Sequence, residues 1–95
     1  MTSDEPGWTF LSNHGHVLVA LAQDPELRLR DLSEQVGITE RAVQSILSDL
    51  EDAGYLKRTR VGRRNHYELD LQRPLRHPLE RHQLIGELVR VVTGR

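Results

Sequence analysis

The chain has 95 residues, 37% of them apolar, with 13 basic and 14 acidic side chains and a net charge of −1. That length suits one domain with a single modest core. The charge balance excludes a chain that is basic throughout, and the absence of cysteine excludes disulfide scaffolds, thiolate zinc sites and cysteine nucleophiles.

The opening MTSDEPGWTF is acidic and lacks the charged and apolar regions of a signal peptide. No apolar run approaches the roughly 18 residues of a membrane span, so a cytoplasmic location is expected. The first residues read as an arm, punctuated by Pro6 and Gly7 and with Asp4 and Glu5 among its charges. Trp8 and Phe10 stand out in it, because two of only four aromatics imply docking on the parent domain or on a partner chain. Ser12 is a suitable N-cap for a helix to about Gln23. Its half from Val17 to Ala22 is apolar on nearly every side, which requires several packing neighbours. Asp24-Pro25 ends it. Leu27-Arg28-Leu29-Arg30 alternates and predicts a very short strand. Asp31 and Glu34 have capping-box spacing, with Asp31 as the cap of a short helix that turns Leu32 and Val36 inward. Gly37 suits a left-handed helix end, and Thr39 can cap the next helix. There Val43, Ile46, Leu47 and Leu50 form one buried stripe, and Gly54 stops the helix.

Leu56 to Val61 and Asn65 to Leu71 predict two strands joined at Gly62-Arg63-Arg64. Tyr67, Leu69 and Leu71 alternate with polar residues, so the hairpin is apolar at its base and polar towards its tip. Pro74 and Pro78 punctuate a linker, and Pro78 suits the first position of a last helix reaching about Thr93. Leu84, Ile85, Leu88, Val91 and Val92 give that helix a wide apolar stripe. The stripe either folds back on the first helix of its own chain or pairs with the same helix of a second chain. The second arrangement, a two-fold dimer, is the one expected.

The order helix, short strand, short helix, tight turn, longer helix and hairpin is that of a winged helix-turn-helix. The stretch from Leu32 through Val36-Gly37-Ile38-Thr39 to Leu50, followed by Gly54-Tyr55-Leu56, resembles the core of the MarR-like and ArsR-like regulators of bacteria and archaea. The resemblance covers roughly residues 12 to 71. It implies a mainly α fold with a small β-hairpin and an added C-terminal helix. It also implies an N-terminal arm over 1–11, a DNA-binding domain over 12–72, and a linker with a dimerisation helix over 73–95. As those families use both terminal segments to dimerise, Trp8, Phe10 and Leu11 are expected to join Leu84, Ile85, Leu88, Val91 and Val92 at the dimer interface.

Elementary chemistry supports the same reading. With its apolar stripe inward, the third helix turns Glu40, Arg41, Gln44, Ser45 and Ser48 outward. Glutamine can bond an adenine edge and arginine a guanine edge, so Arg41, Gln44, Ser45 and Ser48 are the expected base readers. Glu40 either accepts from a cytosine amino group or fixes Arg41. Thr39 and the free N–H groups of the first helical turn suit a phosphate. Residues 56 to 66 carry five basic side chains and no acid, an asymmetry that the total charge hides. Arg58, Arg60, Arg63, Arg64 and His66 are therefore expected to hold the DNA backbone. A two-fold dimer would present two reading helices about 34 Å apart to a palindrome. A repressor is favoured because no segment is left over for an activation domain. The alternative is a winged helix that binds another protein and no DNA, and a small-molecule effector of unknown kind is compatible with either.

The sequence has no glycine-rich phosphate loop, no Gly-x-Ser-x-Gly elbow and no His-Glu-x-x-His pattern, so neither enzymatic activity nor a cofactor is expected. His14 and His16 are two apart and His77 and His82 five apart. Neither pair has the i, i+4 spacing of a helical metal site, and no metal is expected.

Overall fold

The computed structural model describes residues 6–94 as four helices and one antiparallel hairpin. Asp4 and Glu5 lie outside the described residues. Helix α1 spans Asn13–Gln23, and the Ser12 side chain accepts from the Gly15 N–H at 3.3 Å. Val17, Leu18, Ala20 and Leu21 are buried on it, so α1 is the central post of the fold. Asp24 ends it by donating its N–H to the Ala20 carbonyl, and its carboxylate accepts from the Glu26 N–H.

No strand forms over residues 27–30. Helix α2 instead spans Leu29–Val36, starting two residues before Asp31. Asp31 is the third helical residue, and its carboxylate accepts from the Arg28 N–H at 3.2 Å. It therefore fills the acidic end of the box that the sequence reading gave to Glu34. The reason is local: Leu29 and Leu32 share a helical face, and four alternating residues fit that turn as well as they fit a strand. A strand also needs a neighbour. Among the described residues, the one backbone bond between this region and the hairpin, from the Tyr67 N–H to the carbonyl of Pro25, lies just before the segment.

Gly37 closes α2 at φ +84°, where a Cβ would be strained. Its N–H and that of Ile38 both donate to the Ser33 carbonyl. Thr39 then accepts from the Ala42 N–H at 3.0 Å and opens α3, Glu40–Asp52. Thr39→Ala should destabilise the chain by about 1 kcal/mol. In a domain of this size that is a fall of about 4–8 °C in the melting midpoint, readable by circular dichroism. Val43, Ile46, Leu47 and Leu50 are buried, as the spacing predicts.

Strands β1 (Leu56–Val61) and β2 (Arg64–Leu69) pair from Leu56 opposite Leu69 to Val61 opposite Arg64. The turn is thus the two residues Gly62-Arg63, one shorter than expected. Leu71 falls beyond the strand, in a turn where Asp70 accepts from the Gln72 N–H. The base is anchored by Tyr55, Leu56 and Tyr67, all buried, whereas Val61 is exposed at the tip.

The last helix, α4, spans Ile85–Thr93 and not Pro78–Thr93. Residues 77–83 form turns, with the Glu80 N–H on the His77 carbonyl and the Gln83 N–H on the Glu80 carbonyl. The run Glu80-Arg81-His82-Gln83 has no apolar face to bury, so the helix begins where the apolar stripe begins. Its first N–H groups donate to the Arg73 and Leu71 carbonyls. Gly86 permits that approach, since a Cβ there would lie 2.8 Å from the Leu71 oxygen. Helix α4 packs on α1 of its own chain, with Ile85 and Val89 buried.

Candidate nucleic-acid interface

The buried stripe of α3 rests on α1 and α2, which turns the opposite side to solvent. Arg41, Gln44, Ser45 and Ser48 are all exposed there, with Thr39 and Glu40 at the N-terminal end. Among the described residues Glu40 makes no hydrogen bond or ion pair with Arg41.

The other end of α3 is acidic, which opposes the helix dipole. Two of its three acids have basic side chains of the same chain beside them. His14 Nε2 lies 2.8 Å from Asp49 Oδ2, tying α1 to α3. Arg58 donates to Glu51 Oε1 at 3.0 Å, tying β1 to α3. These pairs are half exposed, so each contributes little to stability but helps to fix the angle between helix and wing.

The hairpin register divides the five basic residues of the wing. Arg58 lies opposite Tyr67 and Arg60 opposite Asn65, on the face that carries the core. Lys57 opposite Glu68 and Arg64 opposite Val61 share the other face. Arg58 is half-buried against Glu51, and His66 lies 3.5 Å from Glu26. Arg58 is thus held by an acid of its own chain and less free for phosphate than the sequence suggests, and His66 has a carboxylate of its own chain nearby. Arg60 curls to the tip, where its Nε donates to the Gly62 carbonyl. The exposed arginines thus gather at the tip, as Arg60, Arg63 and Arg64, while Lys57 is exposed nearer the base. No single-residue signal marks Arg58 as bound and Arg64 as free. Only the alternation of the strand, combined with Glu51 at the end of α3, separates them.

The terminal segments are placed differently from one another. Trp8 and Phe10 are 71% and 93% exposed and meet edge to face, with ring centroids 4.9 Å apart. Leu11 is half-buried against Gly15. Of the expected dimer stripe on α4, Ile85 is buried in the chain's own core and Leu84 and Leu88 are half-buried, whereas Val91 and Val92 remain exposed. The inward line is Ile85, Leu88 and Val89, and Val89 was missing from the sequence reading. Among the described residues no three His, Asp or Glu side chains converge as metal ligands, and no helix is long and apolar enough to cross a membrane.

Residues 12–57 match the family described as winged helix-turn-helix DNA-binding. Among solved structures, the chain is similar to a MarR family protein of Mycobacterium tuberculosis in complex with salicylic acid, at 31% identity and a TM-score of 0.53, over 63% of this chain and 47% of that one. It is also similar in fold to ZitR of Lactococcus lactis, a zinc-responsive MarR family member, at 23% identity and a TM-score of 0.55, over 74% of this chain and 50% of that one. A structure of ZitR bound to DNA matches at 22% identity and a TM-score of 0.56, over 74% of this chain and 49% of that one. The chain therefore spans about half the length of these relatives. No curated protein matches the sequence. The fold is thus that of a winged helix-turn-helix, the family model matches just under half of the chain, and the neighbour at 31% identity is a MarR family protein.

Proposed function

We propose that the chain is a homodimeric, cytoplasmic transcriptional regulator that binds double-stranded DNA sequence-specifically and represses by occupying its site. The observation that carries this reading is the exposed polar side of α3 together with three available arginines at the wing tip. In it, α3 enters the major groove, Arg41 and Gln44 bond base edges, and Ser45 and Ser48 fill the remaining contacts. Thr39 and the first turn of α3 meet a phosphate, and Arg60, Arg63 and Arg64 hold the flanking backbone. Arg58 and His66 orient the wing through Glu51 and Glu26. Glu40 accepts from a cytosine amino group, because a carboxylate facing DNA gains nothing from phosphate.

Selection of bound sequences from random duplexes, with binding of the winner measured against salt, tests the proposal. A dimer with about eight phosphate contacts should give a log K against log salt slope near −7. A flat response, or no retardation of DNA even at low salt, would leave the protein-binding alternative in its place. Gln44→Ala should lower discrimination by about 1–3 kcal/mol at one base position while leaving non-specific affinity unchanged. Glu40→Ala should remove a preference for cytosine at one position. Equal losses on selected and random DNA for both variants would refute the assigned reading roles.

A further inference from the structure

A cavity of about 720 Å³ opens between α1, the C-terminal end of α3, and α4. Its walls are largely apolar, built by Leu18, Leu50, Ile85 and Leu88, with Arg76 and Glu80 among its polar residues. That volume lies within the roughly 300–1,000 Å³ of sites that enclose sizeable ligands, and it is ample for two aromatic rings. Phe10 stands at the rim, yet is 93% exposed.

The arm is held there by its own geometry. Ser12 is extended, at φ −71° and ψ 171°, as the N-cap of α1. Leu11 packs on Gly15, and the Thr9 hydroxyl donates to the Leu11 carbonyl at 2.7 Å. With the chain fixed at these points, Trp8 and Phe10 pack on each other and leave the cavity beside them open. We infer that the Trp8–Phe10 pair of one copy seats in this cavity of a second copy, reciprocally. The inference rests on the homodimer reading above and names its contact.

Two features favour a second copy as occupant. Each arm lies on the rim of its own cavity, so a two-fold axis past the mouth carries each aromatic pair over the other's cavity. The area is also adequate. Aromatic side chains bury about 150–250 Å² each, and two pairs with the walls they cover approach the roughly 1,600 Å² of a specific interface. The cavity includes Asp49 and Leu50 of α3, so the seat would couple the two reading helices.

Trp8 is the sole tryptophan, which makes its emission a clean reporter. Full-length chain is diluted while Trp8 emission and light scattering are followed together. The expected result is a blue shift that appears with the dimer at one midpoint. The double variant Trp8→Ala/Phe10→Ala should need at least a hundredfold higher concentration to dimerise. It should also enhance the emission of an apolar naphthalene sulfonate dye that the wild-type dimer leaves dim. Because both side chains are exposed, the variant should keep the wild-type circular dichroism spectrum. A dimer that survives in the double variant overturns the seat and leaves the homodimer intact. Blue emission at all concentrations from a monomer puts the arm in its own cavity and overturns both readings, as does a wild-type chain that stays monomeric with red emission. Dye binding by the wild-type dimer equal to that of the variant shows an open cavity, suited to a small molecule, and overturns the seat alone.

Discussion

Replacing Arg63 and Arg64 together by alanine should weaken binding of every DNA sequence by roughly a thousandfold at 0.15 M salt. The pair is exposed at and beside the two-residue turn, and neither side chain has an acid of its own chain in ion-pair contact among the described residues. A dimer loses four phosphate contacts with this change. Each contact contributes about 0.9 to the salt slope, so the slope should flatten by roughly 3.5. Base preference should survive, since the side chains that read bases lie on α3. Arg58→Ala is the instructive comparison. Arg58 is half-buried on Glu51, so its removal should change the slope by much less and act through the angle of the wing. The check is a pair of titrations, on selected and random duplexes, across a range of salt. An unchanged slope in the double variant would remove the wing tip from the interface.

The parts of this surface that were legible in the sequence are those set by local chemistry. The stripe of α3, its Thr39 cap and the left-handed Gly37 each depend on a few consecutive residues, and all three stand as read. The false strand at 27–30 shows the limit of that logic, because four residues are too few to separate a period of 2 from 3.6. The start of α4 shows another. Pro78 permits a helix, but a helix forms only where an apolar face can be buried, and that begins at Leu84-Ile85. The pairings that thin out the basic wing could not be read at all. Glu51 and Arg58 are seven residues apart across a turn, and His66 meets Glu26 from forty residues away, so both depend on the folded path. The cavity beside α4 is equally non-local, being assembled from four separate segments of chain.

Leu47→Ala should lower stability by about 2–5 kcal/mol, the range for removing a buried leucine and leaving a cavity. Leu47 is fully buried on the inner side of α3, among the largest enclosed side chains of the chain. Domains hold only about 0.05–0.15 kcal/mol per residue, so for a chain of this length the loss is a large part of the total. At about 4–8 °C per kcal/mol, the melting midpoint should fall by roughly 8–40 °C, measured at one fixed protein concentration because a dimer's midpoint depends on it. Gln44, three residues earlier on the same helix, is exposed beside the buried stripe, and Gln44→Ala should stay within about 0.5 kcal/mol of wild type. The two substitutions therefore separate what α3 does for the fold from what it does for DNA. Leu47→Ala should reduce DNA binding only as far as it unfolds the chain, and binding should recover on cooling. Gln44→Ala should melt normally and misread one base. A small thermal shift for Leu47→Ala would mean that α3 is not seated through this residue, and the outward direction of Arg41, Gln44, Ser45 and Ser48 would lose its basis.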